Sequence, residues 1–251
     1  MKITSSGITD IGCVRLSNED SLGLFPEFKL YVVADGMGGH AAGEVASKMA
    51  VDEIKAFFTY QAERSNNRSN PSTHPSGEAL ISQAISSANQ SIFEAASRDA
   101  SRKGMGTTVI ALLAGQSELI IGFVGDSRVY LQKEGRIEQL TEDHSLVNDY
   151  VRQGLLSVEA AKSHPLKHVL SRALGTNPEV EAETLSRTPE PGDLFILCSD
   201  GLSNKLTPQE MNIILAETAD DLEKGGKALV EGARENGGED NITAILVRYQ
   251  L

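Results

Sequence analysis

Three aspartates stand where apolar runs stop: Asp35 after 30–34, Asp126 after 120–125 and Asp200 after 194–199, while Asp240 comes just before the run 242–247. Asp35 and Asp200 are each followed by Gly, and Asp126 is preceded by one. A strand lifts its terminal side chain to the rim of a sheet, and glycine lets the backbone turn sharply there. Acidic groups gathered on one rim repel one another strongly unless a cation sits between them. The chain is therefore held to a fold that collects strand ends from distant stretches of sequence, and the pattern points to a hard-metal site. Ligands that are all oxygen fit Mg²⁺ or Mn²⁺ rather than zinc or copper.

Hydrophobic spacing supplies the elements that carry those ends. Short strands broken by turns are predicted over the first forty residues, with Arg15 near the end of one of them. A helix follows over 41–58, where Val45, Met49, Ile54, Phe57 and Phe58 share one broad face. Residues 63–77 (ERSNNRSNPSTHPSG) read as a flexible polar loop inserted between two helices. The second helix carries Leu80, Ile81, Ala84, Ile85, Ala88, Ile92, Ala95 and Ala96 at three-and-four spacing. Strands over 107–114, 118–124, 128–132 and 137–140 are joined by tight turns at Gly115 and at Glu134-Gly135, which predicts antiparallel pairing. Residues 144–176 break the rhythm as an excursion from the main body. A strand over 193–198, helices beginning near Thr207-Pro208 and near Ala219, and a last strand over 241–249 complete the chain. Antiparallel sheets with segregated helix pairs make an α+β fold.

At 251 residues the chain is long enough to bury a sizeable core. Its net charge of −12 and the lack of a Lys/Arg stripe argue against nucleic acid and against an acidic membrane surface as partners. Cys13 and Cys198 have no metal-ligand spacing and are expected to be buried free thiols. The N-terminal MKITSSGITD lacks the apolar core of a secretion signal, so a cytoplasmic location is expected.

The stretch 35–43 (DGMGGHAAG) contains Gly36 and Gly38 in dinucleotide-like spacing, but the acidic pair Asp52-Glu53 falls inside a helix rather than at the end of a second strand. A nucleotide fold is not supported. If Asp35 is a metal ligand, the same glycines let the Gly36 carbonyl face an ion. Arg15, close to Glu19 and Asp20, suits a bidentate phosphate clamp, with the acids oriented toward metal-bound water; Arg128 is the weaker competitor. His40 beside the metal loop suits proton transfer to a leaving group, and His144 suits either substrate contact or a helix start. No Gly-x-Ser-x-Gly, HExxH or P-loop lysine is present, so covalent serine catalysis, zinc proteolysis and P-loop nucleotide hydrolysis have no support.

Taken in order, eight segments resemble the metal-dependent protein serine/threonine phosphatases of type 2C in their compact bacterial form. They are 15–20 (RLSNED), 35–40 (DGMGGH), 106–108 (GTT), 125–128 (GDSR), 140–145 (LTEDHS), 170–175 (LSRALG), 199–202 (SDGL) and 240–243 (DNIT). The resemblance spans essentially the whole chain. It implies one phosphatase domain over 1–251, a four-layer α-β-β-α sandwich with two packed antiparallel sheets flanked by helix pairs, in which 144–176 form a flap linked to substrate choice. It makes Asp35 the carboxylate bridging two ions of Mn²⁺ or Mg²⁺, Gly36 a carbonyl ligand, and Asp200 and Asp240 ligands of the other ion. Asp126 matches the position that helps to hold a third ion, and Arg15 the phosphate-binding arginine. Glu19 and Asp20 match residues that hold metal-bound waters, and Asn241 matches a group behind them. Met37 stands where many eukaryotic members carry the histidine regarded as general acid, which leaves the proton donor open between His40 and a metal-bound water.

The resemblance implies hydrolysis of phosphoserine and phosphothreonine on proteins by a water activated between two metals, in opposition to a serine/threonine kinase. Phosphorylated proteins, including such a kinase and its targets, are the expected partners, and the chain is expected to be a monomer. Two rivals differ in class or partner. One is a silent phosphoprotein-binding module, which loss of the carboxylates would mark and which their presence disfavours. The other is a sporulation-type phosphatase acting on a small partner-switching protein, against which the 125–128 motif and the flap count.

Overall fold

The computed structural model describes residues 1–38, 42–66, 75–218 and 221–250. Two antiparallel sheets face each other. One runs β1 (Lys2–Asp10), β11 (Ile242–Gln250), β10 (Leu194–Cys198), β7 (Arg128–Lys133) and β8 (Arg136–Gln139). The other runs β2 (Asp20–Phe25), β3 (Leu30–Met37), β5 (Val109–Ala114), β6 (Leu119–Val124) and β9 (Glu183–Arg187), with the short β4 (Gly106–Thr107) pairing β3. Every pairing is antiparallel.

Alternation along each strand divides its side chains between two cores. On β11, Ile245, Val247 and Tyr249 enter the core between the sheets, while Ile242, Ala244 and Leu246 enter an outer core. On β3, Tyr31 and Val33 face the inter-sheet core, while Val32 and Ala34 face the helices α1 (Ala42–Asn66) and α2 (Gly77–Arg98). The outer core on the opposite side is closed by α6 (Pro208–Glu217) and α7 (Leu222–Glu235), through Met211, Leu215, Leu229 and Val230. The result is the expected four layers, α-β-β-α. Helix α6 starts on a capping box in which Thr207 and Glu210 satisfy each other's backbone N–H groups, with Pro208 at the first turn.

Two helix boundaries and the placement of Arg15 and Cys13 differ from the sequence reading. Helix α1 runs on to Asn66, so residues 63–66 are helical; Gln61 to Arg64 are good helix formers, and Arg64 donates to the Tyr60 hydroxyl one turn back at 3.1 Å. Residues 67–74 of the polar segment lie outside the described residues. Helix α7 begins at Leu222 because the Asp221 side chain caps it by accepting from the Lys224 N–H; Ala219 lies outside the described residues. Arg15 is not near a strand end: residues 11–19 form a loop between β1 and β2. Cys13 lies in that loop and is exposed, unlike Cys198, which is buried on β10; both are free thiols.

Residues 144–176 hold two short helices, α3 (Leu146–Arg152) and α4 (Val158–Lys162), each capped by a serine. The segment is tied together where Leu170 pairs with Ser145, and it rejoins the body where Leu174 pairs with Thr107. Among the described residues, no helix is long and apolar enough to cross a membrane.

Candidate metal centre

The sheet ends deliver their acids to one side of the sandwich. Asp35 is the sixth residue of β3, and its backbone is fixed by neighbouring threonines. Its N–H donates to Thr108 Oγ1 at 3.0 Å, and its carbonyl accepts from the Thr108 N–H at 2.8 Å and from Thr107 Oγ1 at 2.8 Å. The next residue must be glycine because of crowding. A Cβ on Gly36 would lie 2.1 Å from the Gly43 carbonyl oxygen and 2.6 Å from that of Glu19. Asp200 opens α5 (Asp200–Ser203) directly after β10, and its Oδ2 accepts from Asn204 Nδ2 at 3.1 Å. Asp126 sits in the turn between β6 and β7, after a Gly125 whose φ of 111° suits glycine. Asp240 precedes β11 and accepts at Oδ2 from Arg15 Nη2 at 2.7 Å.

Asn241 ties the loop 11–19 to this centre. Its Oδ1 accepts from the Glu19 N–H at 2.8 Å, and its Nδ2 donates to the carbonyls of Ile11 and Ser17 at 2.9 and 3.0 Å. Asp20 pairs across the sheet with Asp35 and accepts from Ser199 Oγ at 2.7 Å. Arg15, Glu19, Asp35, Gly36, Asp126, Asp200 and Asp240 thus line one open cleft of about 550 Å³, joined by Met37, Gly38, Thr108, His168 and Leu170.

Electrostatics show what the cleft requires. Burial, and then repulsion from Asp20, Asp200, Asp126 and Asp240, push Asp35 well above the ordinary carboxylate range. Burial and the charge of Asp200 raise Asp126 to about 7. Asp20, chiefly through burial, is also raised to about 7, and Asp200 is raised by burial and by Asp240. Glu19 is raised by burial, against the pull of Arg15. These shifts mark unneutralised negative charge in a low-dielectric site. Among the described residues no three such side chains close into a finished ligand cluster, as expected of like charges facing one another across an open cleft. Carboxylates, a peptide carbonyl and room for water are the donor set of a hard divalent cation, and the residues present fit one.

Arg128 and His144 do not line this cleft. Arg128 is held by Asp143 in a two-pronged pair, Nε to Oδ1 at 2.8 Å and Nη2 to Oδ2 at 2.7 Å, so it is not a free phosphate clamp. His144 is fully buried, and Ser145 rather than His144 caps α3; neither role considered for this histidine is the one it plays. His40 lies outside the described residues. His168, exposed on the cleft rim, was not singled out, because a histidine in the irregular stretch 163–170 carries no local signal; Thr108, behind Asp35 and between β4 and β5, entered only within the 106–108 segment of the resemblance.

A family model described as Protein phosphatase 2C matches residues 15–236. A "Serine/threonine phosphatase stp" of Listeria innocua is 39% identical over 97% of this chain and 94% of its own length. The crystal structure of the Mycobacterium tuberculosis serine/threonine phosphatase PstP/Ppp superposes with a TM-score of 0.86 at 31% identity, covering 99% of both chains. The catalytic domain of PstP in complex with two manganese ions superposes with a TM-score of 0.81, also at 31% identity, over 98% of this chain and 97% of that one. This chain belongs to the protein phosphatase 2C family.

Proposed function

We propose that this chain hydrolyses phosphoserine and phosphothreonine esters on proteins, opposing a serine/threonine kinase, as one phosphatase domain acting as a monomer in the cytoplasm. The observation that carries the reading is the convergence of Asp35, Asp126, Asp200 and Asp240 with Arg15 on one cleft. Four buried or half-buried acids facing a guanidinium suit divalent cations and a phosphate dianion and little else.

Asp35, at the end of β3, would serve two ions of Mn²⁺ or Mg²⁺, with the Gly36 carbonyl beside it. Asp200 and Asp240 would complete the second ion's ligands, Glu19 would contribute through water, and Asp126 would hold a further, weaker ion. When bound, two such ions supply Lewis acidity and bring a water to nucleophilic strength near neutral pH. Arg15 binds the non-bridging phosphate oxygens. Its pair with Asp240 is about half exposed on both sides, so sharing the guanidinium with a phosphate costs little. Asn241 and Asp20 hold the loop and strand that present Arg15, Glu19 and Asp35. His40 and His168 are the candidate proton donors to the departing serine or threonine oxygen, His168 because it reaches the same cleft.

The deciding experiment is hydrolysis of a phosphothreonine peptide with Mn²⁺, with EDTA, and by Asp35→Asn. The reading expects Mn²⁺-dependent release of phosphate that Asp35→Asn lowers at least about a thousandfold, since losing a group central to transition-state charge costs on that order. Substantial turnover in EDTA, or by Asp35→Asn, refutes it.

A further inference from the structure

His144 is buried, yet both ring nitrogens have partners and neither lies in the cleft. Nδ1 accepts from the Gly125 backbone N–H at 3.2 Å, and Nε2 meets Glu183 Oε2 at 3.1 Å. Its own N–H donates to the Gly125 carbonyl at 2.9 Å. The ring stacks on Phe123, with centroids 5.1 Å apart and planes at 17°, and Phe123 is the cross-strand partner of Glu183. Both backbone polar groups of Gly125, the residue immediately before Asp126, are thus held by a single residue. Gly125 has φ of 111°, and a Cβ there would lie 2.6 Å from Thr108, so this turn has one tight conformation. On the far side of Asp126, Ser127 Oγ bonds Thr108 Oγ1 at 2.8 Å, and the same Thr108 oxygen accepts from the Asp35 N–H.

We infer that His144 is a positioning residue that sets Asp126 through the backbone N–H and carbonyl of Gly125, with Glu183 choosing its tautomer. The inference rests on the reading of Asp126 as a ligand of the weaker ion. An accepting Nδ1 puts the ring proton on Nε2, where the Glu183 carboxylate takes it. Without that acceptor the proton is free to move to Nδ1, and two donors then face each other at Gly125. A ligand held loosely by its supporting groups loses affinity, typically about 10- to 100-fold in bound metal.

Mn²⁺ binding to the whole chain, with the free ion counted by its electron paramagnetic resonance signal and no substrate present, is the test. Asp126→Asn identifies which bound ion depends on Asp126. The weakest site should lose about tenfold or more in affinity in His144→Gln, whose amide cannot reach Gly125 as Nδ1 does. It should stay within about threefold in His144→Asn, whose Oδ1 takes the place of Nδ1. Glu183 offers a pair that is half exposed and tolerant: Glu183→Leu, without an acceptor, should weaken the same site, while Glu183→Gln, with one, should not. Thermal melts of the metal-free variants accompany each titration. Unchanged weak-site affinity in both His144→Gln and Glu183→Leu overturns the inference. So does an equal loss in His144→Asn and His144→Gln that follows their melting temperatures. If Asp126→Asn leaves every bound ion in place, the inference falls together with the reading of Asp126, while the Asp35 experiment still stands on its own.

Discussion

Replacing Asn241 by alanine tests how the cleft is assembled. The side chain is 3% exposed and makes three bonds, accepting from Glu19 and donating to Ile11 and Ser17, all in the loop that carries Arg15. Each such bond contributes about 0.5–1.5 kcal/mol net, and a buried group left without a partner costs more. The loop is half exposed, so water reclaims part of the loss, and about 2–3 kcal/mol of destabilisation is expected. For a chain of this size that corresponds to a fall of roughly 5–10 °C in melting temperature. The loop also presents Arg15 and Glu19, so kcat/KM on a phosphothreonine peptide should fall by about tenfold or more, with a rise in KM for the substrate. Asn241→Asp sharpens the test. It keeps the acceptor for the Glu19 N–H but sets an anionic oxygen against two carbonyl oxygens, so in EDTA it should be no more stable than the alanine variant. Differential scanning calorimetry and steady-state kinetics read both effects. A melting temperature within about 1 °C of wild type together with an unchanged KM refutes the view that Asn241 fastens this loop.

Gly36→Ala places a methyl 2.1 Å from the Gly43 carbonyl oxygen, a backbone atom that has no easy retreat, and should cost more than about 2 kcal/mol in urea unfolding and most of the activity. Arg15→Ala removes an exposed ion pair worth at most about 1 kcal/mol, so stability should hardly move while kcat/KM falls about 100- to 1000-fold; equal losses in both would point to a structural arginine. The folded-state pKa of His144 is lowered, chiefly by burial, from an ordinary value of 6.5, so the unfolded chain binds its proton first as pH falls. The wild type should therefore lose stability relative to His144→Asn as pH drops from about 7 to 5, and a difference that is flat or rises over that range contradicts a neutral buried imidazole.

Strands were legible because each run of β-type residues is bounded by turn chemistry, whereas the four layers came from the family resemblance. Their faces were not: residues 242–247 are buried on both sides of the sheet, so no polar alternation shows which side chain meets which core. The loop 11–19 looked strand-like because it contains Val14 and Leu16, yet Leu16 is fully exposed; exposed apolar side chains in a loop imitate a buried run. The acids were legible as the terminal residues of runs, next to glycines that the structure requires for close approach at Gly36 and Gly201. At Gly201 a Cβ would lie 1.9 Å from the Asn241 carbonyl oxygen. What local pattern could not show is which polar groups neutralise each other. Sequence ranks Arg128 below Arg15 as a phosphate clamp but does not show its partner: a hairpin brings Asp143 onto Arg128, while Arg15 lines the cleft.

That division of partners explains the charge of the site. Three of the acids are held by uncharged groups, Asp35 through the backbone and hydroxyls of Thr107 and Thr108, Asp20 by Ser199 and Asp200 by Asn204, while Asp240 pairs with Arg15. Arg15 is half exposed, and Arg128 is already bound to Asp143. Neutral supports fix geometry without cancelling charge, which keeps the carboxylates displaced from their ordinary range and leaves the negative potential for an incoming cation. Had arginines been the supports, the acids would be easier to bury and weaker as ligands. The arrangement gives up stability in the metal-free chain and recovers it when divalent ions bind, because an ion that binds only the folded state adds to folding free energy in proportion to the logarithm of its concentration above the dissociation constant. Stability and activity in this fold therefore draw on the same few oxygens. Loss of one ligand should weaken both in Mn²⁺, yet relieve repulsion and leave the metal-free chain at least as stable as before.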